Sequence, residues 1–202
     1  LNNNSYYGTT DVGYRYSTTQ IGTNLWSQVA EGGSLTYSFK VAIQSNGTLW
    51  SCGNNSYGQL GLSDITNRSS LVQIGSSSLW TQISCGYGHV LAIQSNGTLW
   101  TWGYNANGQL GTSDLTYRSS PVQIGSNLWS QVTCSQVTTL VIQSNGTLWG
   151  FGRSQAGQLG NNSITDQYSP VQVGNNYWRQ ISTASQHSAG IQSDGTLWTW
   201  GN

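Results

Sequence analysis

The sequence predicts an all-β protein, a β-propeller built from four four-stranded blade repeats of about 50 residues. Three recurring phrases carry that prediction. IQSNGTLW stands at residues 43–50, 93–100 and 142–149 and returns as IQSDGTLW at 191–198. LW followed by Ser or Thr and then Gln places Trp26, Trp80 and Trp129, with Trp178 in the variant YWRQ. GQLG recurs at 58–61, 108–111 and 157–160. No stretch shows the 3.6-residue apolar stripe of an amphipathic helix.

Cutting after the glycine that follows each TLW phrase divides one domain, 1–202, into units 1–53, 54–103, 104–152 and 153–201. Around the second phrase, strands are expected at 79–85, 89–94 and 98–102, with a fourth at 121–124 beyond the GQLG loop. Between the second and third strands stands Ser-Asn-Gly-Thr, the signal for a two-residue hairpin with positive φ at both central residues. Asn46 and Gly47, Asn96 and Gly97, Asn145 and Gly146, and Asp194 and Gly195 are therefore read as structural turns. On this division the chain opens with the last strand of a blade, at 17–21, and closes on the first three strands of another. Those pieces close a four-bladed ring, continue into further sequence, or pair between chains. A β-solenoid would ordinarily have much shorter repeats.

Composition restricts the partners. Only 6% of residues are charged, the formal net charge is zero, and there are six Lys and Arg in all. That argues against nucleic acid and against an anionic membrane surface, both of which need a basic face. No apolar run approaches the ~20 residues of a membrane-spanning helix, so no membrane insertion is expected. The chain starts at Leu1 and has no Met, as expected of a processed or excised piece. A surface kept soluble by hydroxyls and amides points to an extracellular, cell-surface or virion-surface protein. Three cysteines without zinc-site spacing are expected to be small buried hydrophobes.

No residue set calls for catalysis. All ten Trp occupy repeat positions, as blade-core residues would. Asp11 and Arg15, Asp64 and Arg68, and Asp114 and Arg118 are spaced as ion pairs bracing one loop, and the fourth unit replaces both partners together with Ser163 and Gln167. What remains is too sparse for a carboxylate acid-base pair. His89 and His187 share one blade position and are read as structural, and no G-x-S-x-G elbow occurs. No catalytic residue, metal or other cofactor is expected.

Tyrosine breaks the pattern. Tyr57 stands where the other units have Asn107 and Ala156, and Tyr104 where they have Asn54 and Arg153. Tyr14 and Tyr117 match Asn67 and Asp166, and Tyr87 lies in the turn before His89. A fold asks the same of every blade, whereas residues facing a target need not repeat. Tyr14, Tyr57, Tyr87, Tyr104 and Tyr117 are therefore the candidate partner-binding residues.

The strings ISCGYGHVLAI at 83–93, SNGTLWTWGYNANGQLG up to Gly111 and SPVQIG at 120–125 resemble the repeat of the regulator of chromosome condensation family, in a bacterial or phage-like branch. The resemblance covers the whole chain and implies a propeller of about 50-residue blades, usually seven. Kelch repeats share the period but carry a di-glycine phrase absent here. The family's Gly-x-x-His phrase is intact only at Gly86–His89. Its members range from a nucleotide exchange factor for a nuclear GTPase to plant ultraviolet sensors and secreted bacterial β-lactamase inhibitors. The first implies charged loops that this chain lacks, and the second a tryptophan cluster where Tyr87 stands, so neither activity is carried over. The function expected is a non-enzymatic display module binding a protein or glycan through variable loops. The alternative is a structural spacer that self-associates with other copies of itself through open blade edges.

Overall fold

The computed structural model describes residues 16–18, 20–34 and 37–202. Among the described residues fourteen antiparallel strands run β1 (Trp26–Gly32), β2 (Phe39–Gln44), β3 (Leu49–Gly53), β4 (Arg68–Gln73), β5 (Trp80–Cys85), β6 (His89–Gln94), β7 (Leu99–Gly103), β8 (Arg118–Gln123), β9 (Trp129–Cys134), β10 (Thr138–Gln143), β11 (Thr147–Gly152), β12 (Gln167–Thr183), β13 (His187–Gln192) and β14 (Leu197–Gly201). β1 to β4 form one four-stranded meander and β5 to β8 a second. The third sheet has six strands in the order β14-β13-β12-β11-β10-β9, because β12 is 17 residues long and serves two neighbours. Its first half pairs with β11 (Trp149 opposite Gln172) and its second half with β13 (Trp178 opposite Gln192). We call the four portions blades 1 to 4, dividing β12 between blades 3 and 4.

Four four-stranded blades were expected, and among the described residues blade 4 has three strands. Ser17, Thr18, Gln20 and Ile21, expected in a fourth strand, belong to none and are exposed. Every fourth strand leads directly into the first strand of the next blade, so the sequence unit and the blade are offset from one another.

The blades pack face to face in chain order. Phe39, Val41, Ile43, Leu49, Leu60 and Ile74 of blade 1 meet Trp80, Ile83, Val90, Ala92 and Trp102 of blade 2. Leu91, Ile93, Leu99 and Ile124 then meet Trp129, Val132, Val141 and Phe151. Finally Leu140, Ile142, Leu148, Leu159 and Val173 meet Trp178 and Ile181. The middle strands of blades 2 and 3 are sandwiched on both sides, and these strands, β6 and β10, are buried along their whole length. That explains why these strands read as near-continuous apolar runs rather than alternating ones.

The hairpin turn differs from expectation. Gly47 has φ 81°, while the non-glycine residues at positive φ among those described are Ser63, Ser113 and Asn162. Gly47 N–H donates to Gln44 C=O at 2.8 Å and Gln44 N–H to Thr48 C=O at 2.9 Å, enclosing three residues instead of two. This is a type I turn closed by a left-handed glycine, so only Gly needs positive φ. Asn46 serves through its side chain: Oδ1 accepts from the Thr48 hydroxyl at 2.7 Å and Thr48 N–H at 3.1 Å. Thr48 Oγ1 in turn accepts from Trp50 Nε1 at 2.9 Å. Asp194 repeats the arrangement with Thr196 at 2.7 and 2.9 Å, which is why the Asp substitution leaves the turn unchanged.

The tryptophans divide by register. Trp80, Trp129, Trp178 and Trp102 are core, whereas Trp50, Trp100 and Trp149 are half-buried beside the turns and Trp198 is 49% exposed. The three cysteines are free; Cys52 and Cys134 are buried, and burial raises their thiols to about 11 and about 12.

Candidate functional site

Each blade has a hairpin end, with its Asn-Gly or Asp-Gly turn, and a loop end, with the turn between its first two strands and, in blades 1 to 3, the long GQLG loop. Tyr87 sits in the β5–β6 turn, Tyr104 just after β7, Tyr57 in the GQLG loop of blade 1 and Tyr117 in that of blade 2. All four tyrosines meet at the loop end. Ring centroids are 4.9 Å apart for Tyr57 and Tyr104, 5.0 Å for Tyr104 and Tyr117, and 5.8 Å for Tyr57 and Tyr117. Tyr87 stands 6.3 Å from Tyr104 and 6.4 Å from Tyr57. Tilted and edge-on pairs at these spacings are favourable beyond their buried area.

The patch is held by backbone. Tyr57 N–H donates to Gln59 Oε1 at 2.9 Å, Tyr104 N–H to Gly88 C=O at 2.8 Å and Tyr87 N–H to Gln136 C=O at 3.1 Å. Gly88 lies underneath, where a Cβ would come within 3.0 Å of the Tyr57 ring and 3.1 Å of Tyr104 Cβ. Asn105 Nδ2 fastens the loop bearing Tyr117 by donating to Asp114 C=O at 2.9 Å and Thr116 C=O at 3.2 Å. Tyr117 is 44% exposed and the other three are half-buried. Burial, followed by the neighbouring tyrosines, raises the phenols of Tyr57 and Tyr104 above their ordinary value, so both stay neutral near pH 7. The result is a rigid, uncharged surface with apolar ring faces and hydroxyl edges. Tyr14 lies outside the described residues.

Two of the expected ion pairs are present. Arg68 Nη2 meets Asp64 Oδ2 at 2.5 Å and Arg118 Nη2 meets Asp114 Oδ2 at 2.6 Å. Each Arg also donates to a backbone carbonyl, of Thr66 or Thr116, and each Asp accepts from that residue's N–H. The backbone bond chiefly holds both carboxyls below the usual range, with Arg assisting. In the fourth unit Ser163 Oγ accepts from Thr165 N–H and Gln167 Nε2 donates to Thr165 C=O, the same brace without charge. Asp11 and Arg15 lie outside the described residues.

His89 is buried at the interface of blades 2 and 3 with Nε2 3.4 Å from Thr139 Oγ1, and burial depresses it to about 3. His187, at the same blade position, is exposed. Among the described residues no group of three or more His, Cys, Asp or Glu is placed to hold a metal.

A feature that the sequence reading missed lies two blades further on. A polar cavity of about 320 Å³ is lined by Gln136, Arg153, Gln155, Ala156, Ser185 and Gln186 among others. Arg153 forks onto Gln155 Oε1 through Nε at 3.1 Å and Nη2 at 2.6 Å. Gln136, Arg153 and Ala156 are the repeat counterparts of Tyr87, Tyr104 and Tyr57. The signal was available: the positions that vary between units mark the same rim in every blade, whichever residue occupies them.

Fold and site together define a β-propeller-type module whose loop end presents an uncharged tyrosine patch. The regulator of chromosome condensation (RCC1) repeat matches residues 46–93, 96–142 and 145–191, and a second form of that repeat matches 80–109; the chain belongs to this family. Human WBSCR16 superposes with a TM-score of 0.85 at 24% identity, over 100% of this chain and 55% of that one. Prp20p of Saccharomyces cerevisiae superposes with a TM-score of 0.73 at 21% identity, over 86% of this chain and 44% of that one. Yeast RCC1 (Prp20) bound to Kap60 gives 0.73 at 20% identity, over 86% and 42%. The chain thus spans about half the length of these structures. No curated protein sequence matches it.

Proposed function

We propose that this chain is a non-enzymatic binding module that recognises a protein through the patch of Tyr57, Tyr87, Tyr104 and Tyr117. The observation that carries the reading is the convergence of four tyrosines, none set by the repeat, from three separate loops onto one rigid spot. Tyr gives large contact area at little entropic cost, which is why it dominates binding hot spots. Relatives of the same fold support a protein as the partner: one structure shows Prp20 bound to Kap60, and another concerns binding to Gsp1p and histones. Those partners are not transferred to this chain, which spans less than half of either structure and has only 6% charged residues. The same low charge supports a secreted, cell-surface or virion-surface setting.

Affinity capture with the wild-type chain and a Tyr57→Ser, Tyr104→Ser double variant tests the reading. A partner held by the first and lost by the second supports it; equal retention of everything captured rejects it. A glycan is the second reading, favoured by the polar cavity beside Arg153 and Gln155. Glycan-array binding abolished by Arg153→Ala and untouched by the tyrosine variant would move the site there.

A further inference from the structure

We propose that Tyr104 and Tyr117 form an oxidative cross-linking site, where loss of one electron from each phenol joins the two rings by a carbon–carbon bond within one chain. This goes beyond the recognition reading and does not depend on the patch having a partner.

The two rings already lie close to the geometry of the product. Their centroids are 5.0 Å apart, and a bond between two phenol rings brings the ring centres only slightly closer. Their planes are tilted by 51°, which suits a biaryl, whose rings twist about the new bond instead of stacking. Coupling runs through the ring carbons beside each hydroxyl, so the hydroxyl edges must face one another. They do so here: burial first, and then Tyr117 through its charge and its hydroxyl, raises the Tyr104 phenol. Tyr57 is 4.9 Å from Tyr104 but turns its own hydroxyl towards Tyr87, whose ring is 6.4 Å away, and so is the poorer partner. Both coupled rings are held in place. Tyr104 N–H donates to Gly88 C=O at 2.8 Å, and Asn105 Nδ2 fastens the residue before Tyr117 by donating to Thr116 C=O at 3.2 Å.

The rest of the chain leaves this site open to oxidation. Sulfur is the usual sink, yet the sequence has no Met and its three cysteines are free. Burial raises all three thiols, Cys52 to about 11 and Cys134 to about 12, so little of the thiolate that peroxides attack is present. Tyr117 is exposed and gives an oxidant access, with half-buried Tyr104 directly behind it. Tyr16, Tyr37, Tyr168 and Tyr177 are exposed too, but among the described residues every pair of neighbouring tyrosine rings belongs to the cluster. Those four have no partner ring at hand within the chain.

Hydrogen peroxide, used by a haem peroxidase, is the oxidant. Each phenol gives up one electron and its hydroxyl proton, and the two phenoxyl radicals join through the ring carbons beside their oxygens. The hydrogens on those carbons then move to the oxygens and restore both phenols. The pair has lost two hydrogens, which reduce one peroxide to two waters. The new bond closes the chain across the GQLG loop of blade 2, from the end of β7 to the start of β8, above the Asp114–Arg118 pair. It supplies a covalent brace in a chain whose cysteines form none. Like a disulfide, such a link restricts the unfolded chain and so raises stability.

Oxidation of the folded 202-residue chain, dilute, with a haem peroxidase and hydrogen peroxide decides the matter. The expected product is a monomer lighter by two hydrogens, with the blue fluorescence of a linked phenol pair, a higher urea midpoint, and peptide mapping that joins Tyr104 to Tyr117. Tyr117→Phe, which keeps the ring and its packing, is expected to lose that link. Tyr177→Phe, which changes an exposed ring outside the cluster, is expected to retain it. Wild-type chain unfolded in urea before oxidation is expected to lose the preference for this pair, because the preference comes from the folded geometry. Coupling between chains only, a link mapped mainly to another pair, equal yield from the unfolded chain, or oxygen added at tryptophan with no tyrosine link would each overturn the proposal.

Discussion

A Cβ on Gly86 would lie 2.2 Å from Cε1 of His89 and 2.2 Å from the carbonyl oxygen of Ser135 in the next blade. The Gly-x-x-His phrase is thus a packing arrangement: the glycine vacates the space that the buried ring fills. In the first blade the large residue is Phe39, and a Cβ on Gly32 would be 2.5 Å from its ring. In the third blade the smaller Thr138 is matched by Ser135, which has a side chain. Gly86→Ala is therefore expected to destabilise the fold by about 1–3 kcal/mol, read by urea denaturation, since neither the ring nor the Ser135 backbone has room to yield. A midpoint unchanged from wild type would mean that the interface between blades 2 and 3 is looser than its geometry indicates.

The same ring makes stability pH-dependent. Burial holds His89 neutral in the folded chain, with a folded value of about 3 against an ordinary 6.5. The unfolded chain takes up the proton first, so stability is greatest above pH 6.5 and declines as pH falls from 6.5 towards 3, by about 1.4 kcal/mol per unit at most. His89→Phe, which installs the residue of the first blade, is expected to flatten the decline between pH 6.5 and 4.5, where carboxylates contribute little. Exposed His187 remains in both proteins and serves as the internal control.

Much of this was legible because the fold repeats itself. Strands expected at 79–85, 89–94 and 98–102 agree with β5, β6 and β7 to within a residue at each end. The fourth, expected at 121–124, was the poorest: β8 starts at Arg118, because Arg118 pairs opposite Gly103 beyond a register shift that no periodicity announces. The tyrosines were legible as residues that break the repeat, but not as a cluster. Tyr57 and Tyr104 meet only because the loop of one blade leans onto the next, where Gly58 passes so close to Ser119 that a Cβ would be 2.6 Å from its Cα. The turn was misjudged because Asn-Gly suits both hairpin types, and what separates them is a hydrogen-bonding pattern rather than a composition.

The loop brace gives a further test. Asp114→Ser or Arg118→Gln alone leaves one charged partner unmatched, whereas both together recreate the arrangement of Ser163 and Gln167. The double variant is expected to be closer to wild type than the worse single one. The pair is partly exposed, so a double-mutant cycle should return a coupling of about 0.2–1 kcal/mol, smaller in high salt. The Asp114 carboxyl is held below its ordinary value, so this coupling is present at neutral pH and lost as pH falls through the folded value. Additive losses would show that Asp114 and Arg118 act on the loop separately.

The tyrosine patch predicts an unusual response to salt. Its four side chains are all tyrosine, and burial keeps the phenols of Tyr57 and Tyr104 protonated past neutrality, so little of the affinity can be Coulombic. For the captured partner, raising sodium chloride from about 50 to 500 mM is expected to change the dissociation constant less than about threefold, whereas steered or phosphate-like contacts would weaken far more. Tyr104→Ala, which removes the ring at the centre of the cluster, is expected to weaken binding by roughly 30-fold or more, the ~2 kcal/mol of a hot-spot residue. Tyr104→Phe isolates the hydroxyl and should cost less than Tyr104→Ala, because the stacked ring supplies most of the buried area. Gly88→Ala offers a control that leaves every tyrosine in place, since its new methyl would press on Tyr57 at 3.0 Å and tilt the rings apart. Weakened binding in that variant without loss of folding would show that the geometry of the cluster, as well as its composition, carries recognition.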